Sequence, residues 1–194
     1  MPRTNPGRRR ELTDAAIDLL AASGVHGVTH RAVERAAGLP SGTASNYFPS
    51  RETLLVAIAE RVVELHHADM DAAAAAATRA GAPRSESPTC WPGHCSRRRP
   101  RTAPRYRAIF ELQLEATRRP ALAAALAGLE DASVRFTAGH HAELGLAIPA
   151  EKIPVLITLY GGALFALVTA PPEYVSAELV RSIAHAIVHG ALPA

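Results

Sequence analysis

The sequence predicts an all-α protein of about nine helices, and three observations carry that prediction. Apolar residues recur at helical spacing through most of the chain, as at Leu12, Ala16, Leu19 and Leu20. The punctuation is of helix type, with Thr or Ser ahead of such runs and Gly after them. Strand-type alternation of apolar and polar residues is scarce.

Composition sets the frame for the elements. The chain has 194 residues, 48% of them hydrophobic and 20% charged, enough to form a real core and too apolar to stay disordered. The formal net charge is +3 and nearly all the cation is arginine, since Lys152 is the one lysine. That balance permits a nucleic-acid partner without requiring one. Cys90 and Cys95 are too few for a disulfide framework. The opening MPRTNPGRRR has no apolar run behind it, so no secretory signal is read and a cytoplasmic protein is expected.

Taken in order, the first helix runs from about Arg10 to Ser23 and stops at Gly24. Thr29 caps a short second helix through Ala37, with Val33, Ala36 and Ala37 inward and Gly38 as its stop. Residues 41–48, SGTASNYF, look like a loop by composition, yet Ala44 and Phe48 stand four apart, as neighbours on one helical face do. Ser50 caps a fourth helix, with Glu52 in its first turn and Leu54, Leu55, Ile58, Val62 and Leu65 inward. It is expected to reach about Arg79 as a connector. Residues 81–104, rich in proline and arginine, read as a loop. Helices then follow from Arg105 to near Pro120, over Ala121–Ala127, over Leu129–Leu144, over Pro154–Val168 and over Ser176–His189.

The run 153–170 is 18 residues without a charge, the lower limit for crossing a bilayer. Pro154, the Gly161-Gly162 pair, Thr158, Thr169 and the lack of a flanking basic cluster favour a helix buried in protein instead.

Two short helices joined by Gly38-Leu39-Pro40 and preceded by a longer one fit a helix-turn-helix, whose second element enters the major groove. This explains why residues 41–48 carry small polar side chains. Ala44 and Phe48 hold the helix inward, while Gly42, Thr43, Ser45 and Asn46 face out toward base edges and phosphates. Asn46 suits adenine, Arg31 suits guanine or a phosphate, and Tyr47 and Arg51 are placed to hold the backbone. Arg3, Arg8, Arg9 and Arg10 form a basic arm before the first helix; a phosphate or minor-groove contact and a merely solvated terminus are both open there.

The stretch 14–58, DAAIDLLAASGVHGVTHRAVERAAGLPSGTASNYFPSRETLLVAI, resembles the N-terminal DNA-binding region of the TetR family of bacterial transcriptional regulators. The Gly24 turn, Thr29, Ala37-Gly38-Leu39, Gly42-Thr43, Tyr47-Phe48 and Ser50-Arg51-Glu52 occur in register. The resemblance implies DNA contacts from Thr29, His30, Arg31, Ser41, Gly42, Thr43, Ser45, Asn46, Tyr47 and Arg51. Ser45 departs from a frequent tyrosine, Glu34 from a small alanine and Arg51 from a common lysine.

The resemblance further implies a DNA-binding domain over 1–50 and a ligand-binding and dimerisation domain over 51–194. Subunits would pair through the last two helices at Leu156, Leu159, Gly161, Gly162, Leu164, Leu179, Ile183 and Ile187, giving a homodimer for a palindromic double-stranded operator. An unidentified small-molecule effector would sit against Tyr106, Phe110, Gln113, Phe136 and His140, residues that core packing explains equally well. Repression relieved by the effector is the family's usual mode.

Other chemistry finds little support. Cys90, His94 and Cys95 lack a fourth zinc ligand, and the adjacent pairs His66-His67 and His140-His141 fall on different helical faces, so no metal site and no cofactor are expected. Without a nucleophile elbow, phosphate loop or metal-protease motif, an enzyme is not expected. A regulator answering to a protein partner, and an uncharacterised small enzyme, are the alternatives. The segment 87–101, SPTCWPGHCSRRRPR, clashes with the helices on either side; a divergent loop and a pair of compensating frame changes both account for it.

Overall fold

A computed structural model describes residues 5–80, 102–143 and 145–191. Those residues form eight α-helices: α1 (Pro6–Gly27), α2 (His30–Ala36), α3 (Thr43–Tyr47), α4 (Arg51–Ala80), α5 (Thr102–Ala116), α6 (Pro120–Glu143), α7 (Ile153–Thr169) and α8 (Ala177–Ala191), with 3-10 turns at Ala150–Lys152 and Pro172–Tyr174. No strand occurs among them, so the all-α expectation holds. The segment 87–101, with Trp91 and both cysteines, lies outside the described residues. Contacts divide the chain into two compact units, Met1–Leu65 with Ala103–Gly128, and His66–Thr102 with Leu129–Ala194.

Three boundaries differ from those expected. α1 starts at Pro6, capped by Asn5, whose Oδ1 accepts from the N–H groups of Gly7 and Arg8 at 2.9 and 3.4 Å. Proline suits a first helical position because its missing N–H would have no partner there. Arg8, Arg9 and Arg10 therefore belong to a helix, not to an extended arm. α5 starts at Thr102, so residues 102–104 leave the expected loop. The two helices expected on either side of Gly128 are one, α6, which reduces the count from nine to eight. Gly128 marks a close approach, since a Cβ there would lie 3.3 Å from Cγ1 of Val63 on α4.

Elsewhere local signals and structure agree. At Gly24 the backbone leaves helical geometry with φ 65° and ψ −178°, the expected stop, and a kinked last turn follows. Ser50 and Thr53 cap α4 reciprocally: Thr53 N–H donates to Ser50 Oγ at 3.1 Å and Ser50 N–H to Thr53 Oγ1 at 3.0 Å.

The first unit buries Leu12, Ala16 and Leu20 of α1 with Val28, Val33, Ala44 and Phe48, and with Leu54, Leu55, Ile58 and Val62 of α4. Leu112 of α5 and Leu122 of α6 are also fully buried. At the rim Arg61 joins Asp14 of α1 at 2.7 Å and Glu64 of its own helix at 2.8 Å.

In the second unit α7 packs on α8. Ile153, Leu156, Tyr160, Leu164 and Val168 recur every three or four residues and form the buried stripe of α7. Ile153, Leu156 and Tyr160 cluster with Val188 of α8, and Leu146, Ile148, Ile157 and Ile187 pack around them. One polar pair is enclosed here. His141 Nδ1 lies 2.6 Å from the Thr137 carbonyl, which can only accept, so Nδ1 carries the proton and Nε2 is left to accept from the Tyr160 hydroxyl at 3.3 Å. Burial pushes the Tyr160 phenol up to about 12.

Candidate nucleic-acid interface

The site is built on α2 and α3, and begins with how each helix starts and stops. Thr29 Oγ1 accepts from Ala32 N–H at 3.2 Å and caps α2. At the other end Gly38 takes φ 66°, with Gly38 N–H donating to the Arg35 carbonyl and Leu39 N–H to that of Glu34. This pairing is a Schellman motif, which absorbs two end carbonyls and turns the chain toward α3.

α3 has five residues, far below the roughly 12–15 that stand alone in water. It is held from outside. Ala44 and Phe48 are 0% and 1% exposed and anchor its inner face. Ala44 N–H donates to Glu34 Oε1 at 2.8 Å, and His30 Nε2 donates to the Phe48 carbonyl at 2.7 Å. His30 and Glu34 are four apart, so α2 grips one end of α3 with each. Thr43 Oγ1 donates to the Pro40 carbonyl at 2.6 Å, and the Tyr47 hydroxyl accepts from Asn5 N–H at 3.2 Å. Arg9 lies over the Phe48 ring, 5.2 Å from its centroid, and pairs with Glu60 at 3.1 Å.

The ten residues expected at DNA thus divide in two. Thr29, His30, Thr43, Tyr47 and Arg51 all spend side-chain atoms within the unit; Arg51 Nη2 donates to the Val25 carbonyl at 2.7 Å. Arg31, Ser41, Gly42, Ser45 and Asn46 are exposed, and the side chains of Arg31, Ser41, Ser45 and Asn46 hold no hydrogen bond among the described residues. Gly42, at φ 87°, occupies a backbone geometry that other residues rarely adopt. Arg35 is exposed as well and shares a face of α2 with Arg31, a position the sequence reading overlooked although the four-residue spacing displays it.

The residues expected at a subunit contact need correction. Leu156 and Leu164 are 0% and 6% exposed and belong to the chain's own core, so they have no area left for a partner. Leu159 and Leu179 are 47% and 41% exposed, and Val155 and Phe165, not anticipated, are as open as Leu159. Gly162 is exposed, Gly161, Ile183 and Ile187 are half-buried, and a Cβ added at either glycine of the pair would meet nothing within 4 Å. Ala150–Thr169 is long and apolar enough to cross a membrane, and one face of it is buried in the second unit.

The residues expected around an effector fall in both units. Tyr106 is buried, Phe110 half-buried and Gln113 exposed in the first, while Phe136 is half-buried in the second; the His140 side chain lies outside the described residues. Among the described residues no group of three or more His, Cys, Asp or Glu is arranged to hold a metal ion.

Comparison with known proteins covers both halves of the chain. Residues 12–58 match the profile of bacterial regulatory proteins of the tetR family, and 96–194 that of the tetracyclin repressor-like C-terminal domain. No curated protein sequence matches. Among solved structures, a protein assigned as a transcriptional regulator from Saccharomonospora viridis, in complex with choline, superimposes with TM-score 0.70 at 19% identity, covering 97% of this chain and 98% of that one. A protein assigned to the TetR-family transcriptional regulators from Rhodococcus sp. gives 0.69 at 18% identity over 97% and 100% of the two chains. The multidrug binding protein EbrR complexed with ethidium gives 0.61 at 24% identity over 96% and 99%. At these identities the structures speak for the fold, and the two profile matches speak for kinship: this chain belongs to the TetR family of bacterial regulatory proteins.

Proposed function

We propose that the chain is a homodimeric, cytoplasmic repressor that binds a palindromic double-stranded operator and leaves it when a small molecule binds. The observation that carries the DNA half is the outer edge of α3, where Ser45 and Asn46 are exposed and uncommitted while Ala44 and Phe48 anchor the helix. Arg31 adds on α2 a guanidinium that is unpaired among the described residues, suited to a phosphate or a guanine edge. The open apolar residues Val155, Leu159 and Phe165 support pairing through α7, with Leu179 contributing from α8. Two-fold pairing places one reading helix on each half-site of a palindrome. Proteins of the same fold that hold ethidium or choline support a small-molecule effector, and release follows if that molecule binds the DNA-incompetent form more tightly.

The deciding experiment selects bound sequences from random DNA with the full chain and repeats the selection with Arg31→Ala and Asn46→Ala. Asn46→Ala should relax preference at one base by about 1–3 kcal/mol. Arg31→Ala should weaken binding, and if it holds a phosphate the salt slope should fall by about one. Unchanged preference in both variants would remove these residues from the interface. Displacement of the selected operator by compounds that raise the melting temperature tests the effector half.

A further inference from the structure

We infer that Glu34 is the positioning residue of the reading helix: its buried carboxylate serves as the missing N-cap of α3, and so governs how the operator is read. The inference rests on the reading of α3 as the DNA-contacting helix.

A helix begins with N–H groups that have no partner in the preceding turn, and a Ser, Thr, Asp or Asn just before it usually supplies one. Gly42 stands at that position in α3 and has no side chain to supply it. Glu34, from the adjacent helix, meets the need at 2.8 Å from the Ala44 nitrogen. A carboxylate also suits the partial positive charge at a helix start. Glu34 is 3% exposed, and Ala44 N–H is the one hydrogen-bond partner of its side-chain carboxylate among the described residues. A buried carboxylate is costly without such a bond, so acid and helix constrain each other's position.

The consequence reaches base edges because Ala44 lies between Thr43 and the exposed Ser45 and Asn46. Loss of the acceptor frees the start of α3, while the His30 bond to the Phe48 carbonyl still holds its end. The helix then tilts about a fixed end, which displaces Ser41, Gly42 and Ser45 more than Arg31 on α2.

The requirement is for an acceptor, which a glutamine retains and a methionine of similar length does not. Full-length wild type, Glu34→Gln and Glu34→Met are compared by fluorescence anisotropy on the selected operator and on unrelated DNA, with amide exchange followed at Ala44. Glu34→Gln should bind the operator within about threefold of wild type, and Glu34→Met about tenfold more weakly or worse, with base preference relaxed. Binding to unrelated DNA, and its salt slope, should be alike in all three chains, a split that general destabilisation would not produce. Operator binding by Glu34→Met within threefold of wild type, or Glu34→Gln as weak as Glu34→Met, overturns the inference. Should Glu34→Met lose its helical circular dichroism, wild type alone decides, because an Ala44 amide exchanging at the unprotected rate overturns it equally. Failure of the wild-type chain to bind any DNA would instead strike the proposed function, and leave the exchange measurement standing.

Discussion

Arg51 Nη2 donates to the carbonyl oxygen of Val25 at 2.7 Å, while the N–H of the same Val25 donates to Glu111 Oε2 at 3.3 Å. The peptide after the Gly24 kink is thereby held from the start of α4 and from α5. Arg51 is placed at the outset as a phosphate contact, yet this donor has a structural task. Arg51→Met is expected to lower stability by about 1–2 kcal/mol, seen as a lower urea midpoint at unchanged slope, in addition to any loss of operator affinity.

Gly24→Ala should be harmful for a separate reason. Its φ of 65° strains any residue with a Cβ, and that Cβ would come 3.3 Å from Glu111 Oε2. A cost of about 1–2 kcal/mol corresponds to a melting temperature lower by several degrees, measurable by calorimetry.

On α7, neighbouring positions should behave oppositely. Leu159→Asp, at an open position, should leave monomer folding intact and shift sedimentation toward a single chain. Leu156→Ala should cost about 2–5 kcal/mol of stability. A Leu159→Asp chain that sediments as wild type does would remove this face from the subunit contact.

Glu115, at the end of α5, accepts from Arg119 Nε at 2.6 Å and from Arg118 Nη2 at 2.9 Å, and these guanidinium groups hold its carboxyl below the ordinary value of 4.5. A carboxyl depressed on folding contributes stability above its unfolded pKa and loses that contribution as pH falls through the folded one. Wild type should therefore lose stability as pH drops below about 4.5, and Glu115→Gln, weaker at pH 7, should lose less over the same range. Chemical denaturation at a series of pH values checks the two slopes.

How far the sequence reveals this molecule depends on how local each signal is. Thr29, Gly38 and Ser50 are caps and stops whose physics involves neighbouring residues only, so α2 and the start of α4 are readable in advance. Asn5-Pro6 is an equally local helix start, masked by the arginines behind it, which resemble a solvated arm. The outer face of α7 is not readable in the same way. That helix is apolar nearly all round, and periodicity has no contrast with which to separate Leu156 inward from Leu159 outward. Glu34 is harder still, since a charged residue normally reads as solvent-facing. Its role depends on an N–H ten residues away, brought close by a turn. His30 has the same character: read as a DNA contact, it holds the carbonyl of Phe48, the residue that ends α3.

The split between engaged and uncommitted side chains makes the reader separable from its mount. Ser41, Ser45 and Asn46 can be randomised together at little expense to the fold, whereas His30, Glu34, Ala44 and Phe48 are to be left alone. On the proposed reading of α3 as the DNA-contacting helix, a library over those three positions is a route to retargeting the regulator to operators of choice. By the same logic, descendants of this gene could drift to new control sites by substitutions that protein stability scarcely registers.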